Sequence, residues 1–309
     1  MSDHLLETHA ITDVDEFVDT RQQIPIPGRP ENPTVGILYP GHAAEDDYPA
    51  FEEACGGAVR LPVTHTTIGV DEHTTQALLD TGSPARLAEG AQRLLAEHPV
   101  EALMWACTSG SFVYGFDGTH DQTRTLEQAA GVPTSSTSLA YLHALQTLGV
   151  RRVAVAASYP ADLAEHFQDL LGRAGVDVVA FASHGIFTAA EVGLMGREDV
   201  VAMIRAVDVP QAEAMLVPDT AMHSLRWIPD LEESLGKPVL TANQVTVWEG
   251  LRLTGRPMPV LPQLGCLGDP NVLGDPNALS VPDRPAAPGG GGADVSAESW
   301  GDAVDWPED

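Results

Sequence analysis

Short apolar runs alternate along this chain with stretches in which apolar residues recur at helical spacing. Val35 to Tyr39 has the length and composition of a strand. A helical stretch from Tyr48 to Cys55 and a second strand from Ala58 to Val63 follow it. Ala85 to Glu97 repeats apolar residues with a helical period, and Ala102 to Ala106 is a third apolar run. Val132-Pro133 leads into a fourth strand, and Ser138 to Leu148 reads as an amphipathic helix. The scheme then begins again. Arg152 to Ala157, Val176 to Ala182, Ala214 to Val217 and Pro238 to Leu240 read as strands. Helical patterns over Ala161 to Arg173, Val200 to Val207, Ile228 to Leu235 and Ala242 to Leu253 separate and close them.

Strands alternating with helices of roughly ten residues imply parallel sheets built from α/β units. The expected fold is α/β, with two similar lobes, each a parallel four-stranded sheet flanked by helices. A pseudo-twofold axis would relate the lobes and place the active site between them. The expected boundaries are a leader over 1–33, lobes over 34–149 and 150–256, and a tail over 257–309. Pro25, Pro27, Pro30 and Pro33 interrupt regular structure in the leader. The tail repeats Leu-Gly-Asp-Pro-Asn from Leu267 and again from Leu273, and Gly289 to Gly292 follow. It is expected to be mostly disordered and to carry no chemistry.

The net charge of −28 and a single lysine, Lys237, argue against nucleic acid as a partner, because phosphate binding needs clustered cations. No apolar stretch reaches the length of a membrane span, and Met1-Ser2-Asp3-His4 opens without an apolar h-region. A cytoplasmic protein with neither a nucleic acid nor a membrane partner is the expectation. A homo-oligomer is compatible with it. Cys55, Cys107 and Cys266 are too scattered for a disulfide framework or a zinc ribbon. The 11 histidines form no His-Glu-x-x-His pattern, so no metal is expected.

The chemistry gathers at the carboxyl ends of strands, where open parallel sheets bind ligands. In the first lobe these ends are Pro40-Gly41-His42 and Cys107-Thr108-Ser109. In the second they are Ser158-Tyr159-Pro160 and Pro218-Asp219-Thr220. Cys107 closes a buried run and precedes the polar string Thr108-Ser109-Gly110-Ser111. A thiol beside the first turn of a helix has a lowered pKa, which makes a thiolate accessible near neutrality. Plainer roles exist for each residue. Cys107 can be a strand core residue, Asp219 a cap, Tyr159 a packing residue, and Thr108 and Ser109 helix caps. His42 reads as an exposed loop histidine, Asn243 as a cap, and Cys55 and Trp248 as core.

The run Ala106-Cys-Thr-Ser-Gly-Ser-Phe112, together with Gly236-Lys-Pro-Val-Leu-Thr-Ala-Asn-Gln-Val-Thr-Val-Trp248, resembles the aspartate/glutamate racemase superfamily. The nearest likeness is to its branch of maleate cis–trans isomerases and arylmalonate decarboxylases, over roughly residues 34 to 256. The resemblance implies a cofactor-free site in which Cys107 is the first-lobe cysteine. It makes Thr108, Ser109 and Tyr159 carboxylate-binding residues, with Pro40, Gly41 and Thr220 at the neighbouring strand ends. Asp219 falls where the second-lobe cysteine is usual, and there the chain departs from the pattern. A thiol and a carboxyl differ by about 4–5 pKa units in water, which disfavours a two-base racemase.

The resemblance thus implies an isomerase of a small unsaturated dicarboxylate. In it the Cys107 thiolate adds to the alkene and a neutral Asp219 protonates the carbanion. A malonate-type decarboxylase with Cys107 as proton donor is the alternative. An apolar subpocket beside the carboxylate site would favour that reading. A non-catalytic carboxylate-binding relative is the reading from another class.

Overall fold

The computed structural model describes residues 30–269. The first half runs β1 (Val35–Pro40), α1 (Asp47–Ala54), β2 (Val63–Thr66), α2 (Thr75–Thr81) and α3 (Pro84–Glu97). It continues through β3 (Ala102–Trp105), α4 (Ser109–Phe112), α5 (Gly115–Ala130), β4 (Thr134–Ser136) and α6 (Thr137–Leu148). The second half runs β5 (Arg152–Ala157), α7 (Ala161–Arg173), β6 (Asp177–Ser183), α8 (Ala189–Gly193) and α9 (Arg197–Val207). It ends with β7 (Ala214–Val217), α10 (Ile228–Leu235), β8 (Val239–Thr241) and α11 (Ala242–Leu253).

Two parallel four-stranded sheets result, ordered β2-β1-β3-β4 and β6-β5-β7-β8, so they correspond strand for strand. The central strands are buried throughout: β3 and β7 have no exposed residue, which fits sheets covered on both faces. In each sheet the chain leaves the first strand to one side and returns on the other. That reversal opens a crevice at the carboxyl ends of β1 and β3, and another at those of β5 and β7.

Side chains of the first half tie the second to it. The Tyr39 hydroxyl donates to Thr220 O at 2.9 Å, and the Tyr141 hydroxyl to Val217 O at 2.7 Å. Asp47, itself buried, accepts from the Ser224 and Leu225 amides and from Asn243 Nδ2. Helices α6 and α11 pack against each other, with Thr137 and Thr246 sharing a hydrogen bond of 2.6 Å.

The structure departs from the sequence expectation in places. The second strand starts at Val63 rather than Ala58, because Pro62 has no N–H to donate and only an isolated bridge, Thr34 to Arg60, precedes it. Helices α2 and α5 were not expected. Past residue 256 the chain still folds: Pro262–Gly268 forms a 3-10 turn whose Leu264 is buried and accepts from Gln244 Nε2. The rest of the expected tail, and residues 1–29 of the leader, lie outside the described residues. No described helix is long and apolar enough to cross a membrane.

Candidate active site

The two crevices open into one cleft of about 580 Å³, counted with its open mouth. Cys107, Ser109, Asp219 and Thr220 line it, as do Pro40 and Gly41. Six of the eight residues singled out from the sequence are thus brought together. Gly41 is required there: its φ is +62°, and a Cβ would come within 3.1 Å of the Ile68 side chain.

Cys107 lies just past the end of β3 and is 5% exposed. The Gly110 amide donates to its Sγ at 3.2 Å, and the Ser109 hydroxyl lies 3.9 Å away. Both favour a thiolate, yet burial outweighs them and the neighbouring Asp219 adds to it, so the thiol is pushed up to about 12. This reverses the expectation of a lowered pKa. The helix that follows, α4, is one turn long, and so short a helix dipole does not offset desolvation. Cys107 is a thiol at neutral pH.

Asp219 occupies the equivalent place after β7. Its Oδ2 accepts from the Ser158 hydroxyl across the β5/β7 crevice, and its Oδ1 accepts from the Ala221 amide at 2.9 Å. The second bond is the local turn-capping role read from the sequence, and the side chain also lines the cleft. Burial raises its pKa, against the pull of His73 and the two hydrogen bonds. Folding therefore binds a proton at this group, and its stabilising contribution is complete below the unfolded pKa and fades as pH rises through the folded one. We expect the stability difference between the wild type and Asp219→Asn to shift toward the wild type as pH falls toward about 4. Urea unfolding of both proteins across that range checks it, and a pH-independent difference would refute the assignment.

Thr108 and Tyr159 do not line the cleft, contrary to expectation. Tyr159 is wholly buried and its hydroxyl donates to Pro218 O, the carbonyl next to Asp219. Its ring packs edge-on against His73 and Phe112. Thr108 is also wholly buried, with its backbone carbonyl accepting from Ser138. Both stand one layer behind the cleft, where they hold its strand ends in place.

His73 was not anticipated. It lies in the loop before α2, is 4% exposed and lines the cleft. Its Nδ1 sits 2.8 Å from Ile186 O, and a carbonyl only accepts, so Nδ1 carries a hydrogen there. His42 lines the mouth and is exposed, as expected. Asp71 and Glu72 add acidity to the lining, which contains neither arginine nor lysine among the described residues. Ile68, Val70, Leu78, Ala189 and Ala221 contribute apolar surface to the same lining.

Known proteins share this fold. Residues 73–262 match the arylmalonate decarboxylase family. The arylmalonate decarboxylase of Bordetella bronchiseptica is 32% identical over 167 residues, which are 52% of this chain and 68% of that protein. A maleate isomerase of Nocardia farcinica is 28% identical over 201 residues, 61% of this chain and 80% of that protein. Among solved structures, a liganded arylmalonate decarboxylase superposes with a TM-score of 0.66 at 25% identity, covering 76% of this chain and 98% of that one. That protein is a double mutant, with a glycine changed to cysteine and a cysteine changed to serine.

Proposed function

Because this chain belongs to the arylmalonate decarboxylase family, we propose that it decarboxylates a small malonate bearing an apolar substituent, with Cys107 as proton donor. The observation that carries this reading is a thiol whose burial favours the protonated form, in a cleft whose lining includes the apolar residues Ile68, Val70, Leu78, Ala189 and Ala221. These apolar residues take the substituent and the hydroxyls of Ser109 and Thr220 hold a carboxylate.

The bond from the central carbon to the second carboxylate breaks, and its electron pair flows into the carboxylate that stays. Carbon dioxide leaves. The enediolate takes the Cys107 proton at carbon, giving a monoacid and a thiolate. Asp219, whose carboxyl holds its proton more tightly than an ordinary aspartate, returns a proton to sulfur and is reprotonated from solvent beside His73. The step needs no cofactor, since the remaining carboxylate is the electron sink.

Isomerisation of an unsaturated dicarboxylate is the second reading, favoured by Asp219, whose raised pKa suits it to protonate a carbanion. Its cost is the nucleophile: burial disfavours the thiolate that addition to the alkene requires. Decarboxylation uses the thiol as it stands.

Proton NMR of purified protein in deuterated buffer, with phenylmalonate in one tube and maleate in another, separates the two. We expect phenylacetate carrying one deuterium at the α-carbon, and unchanged maleate. Fumarate from maleate with inert phenylmalonate would reverse the assignment. Binding of both without turnover would leave a carboxylate-binding protein.

A further inference from the structure

A second constellation sits at the mouth of the cleft. His42 follows β1 and lines the cleft, Glu45 is three residues on, and His65 lies on β2 beside Tyr39 in the parallel register. One oxygen of Glu45 lies 2.8 Å from His42 Nδ1 and 3.4 Å from His65 Nε2. The other oxygen accepts from the Ala43 amide at 2.8 Å, which fixes the carboxylate's direction. The two imidazole rings stand 4.1 Å apart. His65 Nε2 is itself buried and has no hydrogen-bond partner. All three donor atoms fall within 4.8 Å of one another, and no other such group is found among the described residues.

We propose that His42, Glu45 and His65 bind one divalent cation of the zinc class at the mouth of the cleft. Two imidazoles and a carboxylate are a borderline-soft donor set that suits such an ion. Ligands about 2.1 Å from a zinc ion stand about 3.4 Å apart at the corners of a tetrahedron, which is the Glu45–His65 separation found here. The closer His42–Glu45 pair is joined by a hydrogen bond, and the ion would take the place of its proton. Three protein ligands leave the fourth position for water or for an oxygen of a bound molecule.

The electrostatics give the ion a purpose. Asp71 and Glu72 make the cleft acidic, no lysine or arginine lines it among the described residues, and the chain carries a charge of −28. That field concentrates divalent cations and repels a dicarboxylate. A cation at the mouth would supply the missing counter-charge for one carboxylate of the substrate. This role rests on the malonate reading, whereas binding of the ion does not.

The test is a titration of chelator-treated full-length protein with Co²⁺ at neutral pH, followed by visible absorption, and with Zn²⁺ by calorimetry. One ion per chain and a visible cobalt band are expected. His65→Ala and Glu45→Gln should each weaken binding at least tenfold while keeping the metal-free melting temperature and circular dichroism of the wild type. Absence of uptake, or equal affinity in both variants, overturns the site. Calorimetric titration with phenylmalonate, which needs no turnover, then tests the role. Affinity at least tenfold higher with Zn²⁺ supports the counter-charge, and equal affinity overturns it. If the protein proves to have no decarboxylase activity, the cobalt titration still decides the site.

Discussion

Cys107→Ala is expected to lower kcat for malonate decarboxylation by about 10²- to 10⁴-fold, the usual contribution of a positioned proton donor. The loss should fall on kcat rather than KM, because the thiol is used only after the carbon–carbon bond has broken. Ser109 and Thr220, which hold the carboxylate in this reading, remain in place. The fold should survive: the substitution removes one sulfur atom and leaves the Gly110 amide without its acceptor. The pH profile adds a second, independent reading. A thiol acting as acid, with its pKa at about 12, gives a rate that Cys107 leaves flat from neutral into alkaline pH. A nucleophilic thiolate would instead raise the rate about tenfold per pH unit over that range. Steady-state kinetics of both proteins checks this, and a variant within threefold of wild type would remove Cys107 from the mechanism.

Asp47→Ala is expected to cost about 3–5 kcal/mol of stability and most of the activity, although Asp47 lies outside the cleft. A single oxygen of Asp47 accepts from the amides of Ser224 and Leu225 and from Asn243 Nδ2. Its removal strands three donors on buried residues. Those donors belong to the chain after β7, which carries Asp219 and Thr220, and to α11. The same carboxylate therefore joins the first half of the molecule to the loop bearing a candidate catalytic acid. Asp47→Asn keeps one oxygen acceptor and should lose less. Thermal unfolding should show a drop of about 10 °C or more for the alanine variant. An unchanged melting temperature would mean that other contacts, such as Tyr39 to Thr220, suffice to hold the loop.

The element pattern was legible wherever apolar periodicity was plain. Strands β5 and β7 and helices α7, α10 and α11 fall on the expected residues. Helix α5 was not legible, because the positions it buries are Thr119, Gln122 and Leu126. Two of those three are polar, and the Thr119 hydroxyl donates to Ser111 and Gly115 while Gln122 Nε2 donates to Gly82 and Gly110. No periodicity rule sees an inward face built that way. His73 was hidden for a related reason. Nothing local marks it, and its position depends on bonds to Ile186 and Phe187, more than a hundred residues away. His42, Glu45 and His65 form no motif either, since adjacent parallel strands bring the third residue to the other two.

The sequence by itself determined the doubled α/β pattern and which side chains stand at the carboxyl ends of the central strands. Both follow from short-range alternation and from where apolar runs stop. It placed Cys107 and Asp219 in equivalent positions for that reason. Only the tertiary structure decided that Tyr159 and Thr108 lie behind the cleft, and that the Cys107 thiol keeps its proton. Those outcomes depend on how completely surrounding atoms exclude water, and the atoms come from distant parts of the chain. A strand end shows which group is offered. The packing around it sets that group's charge, and with it the chemistry available at the site.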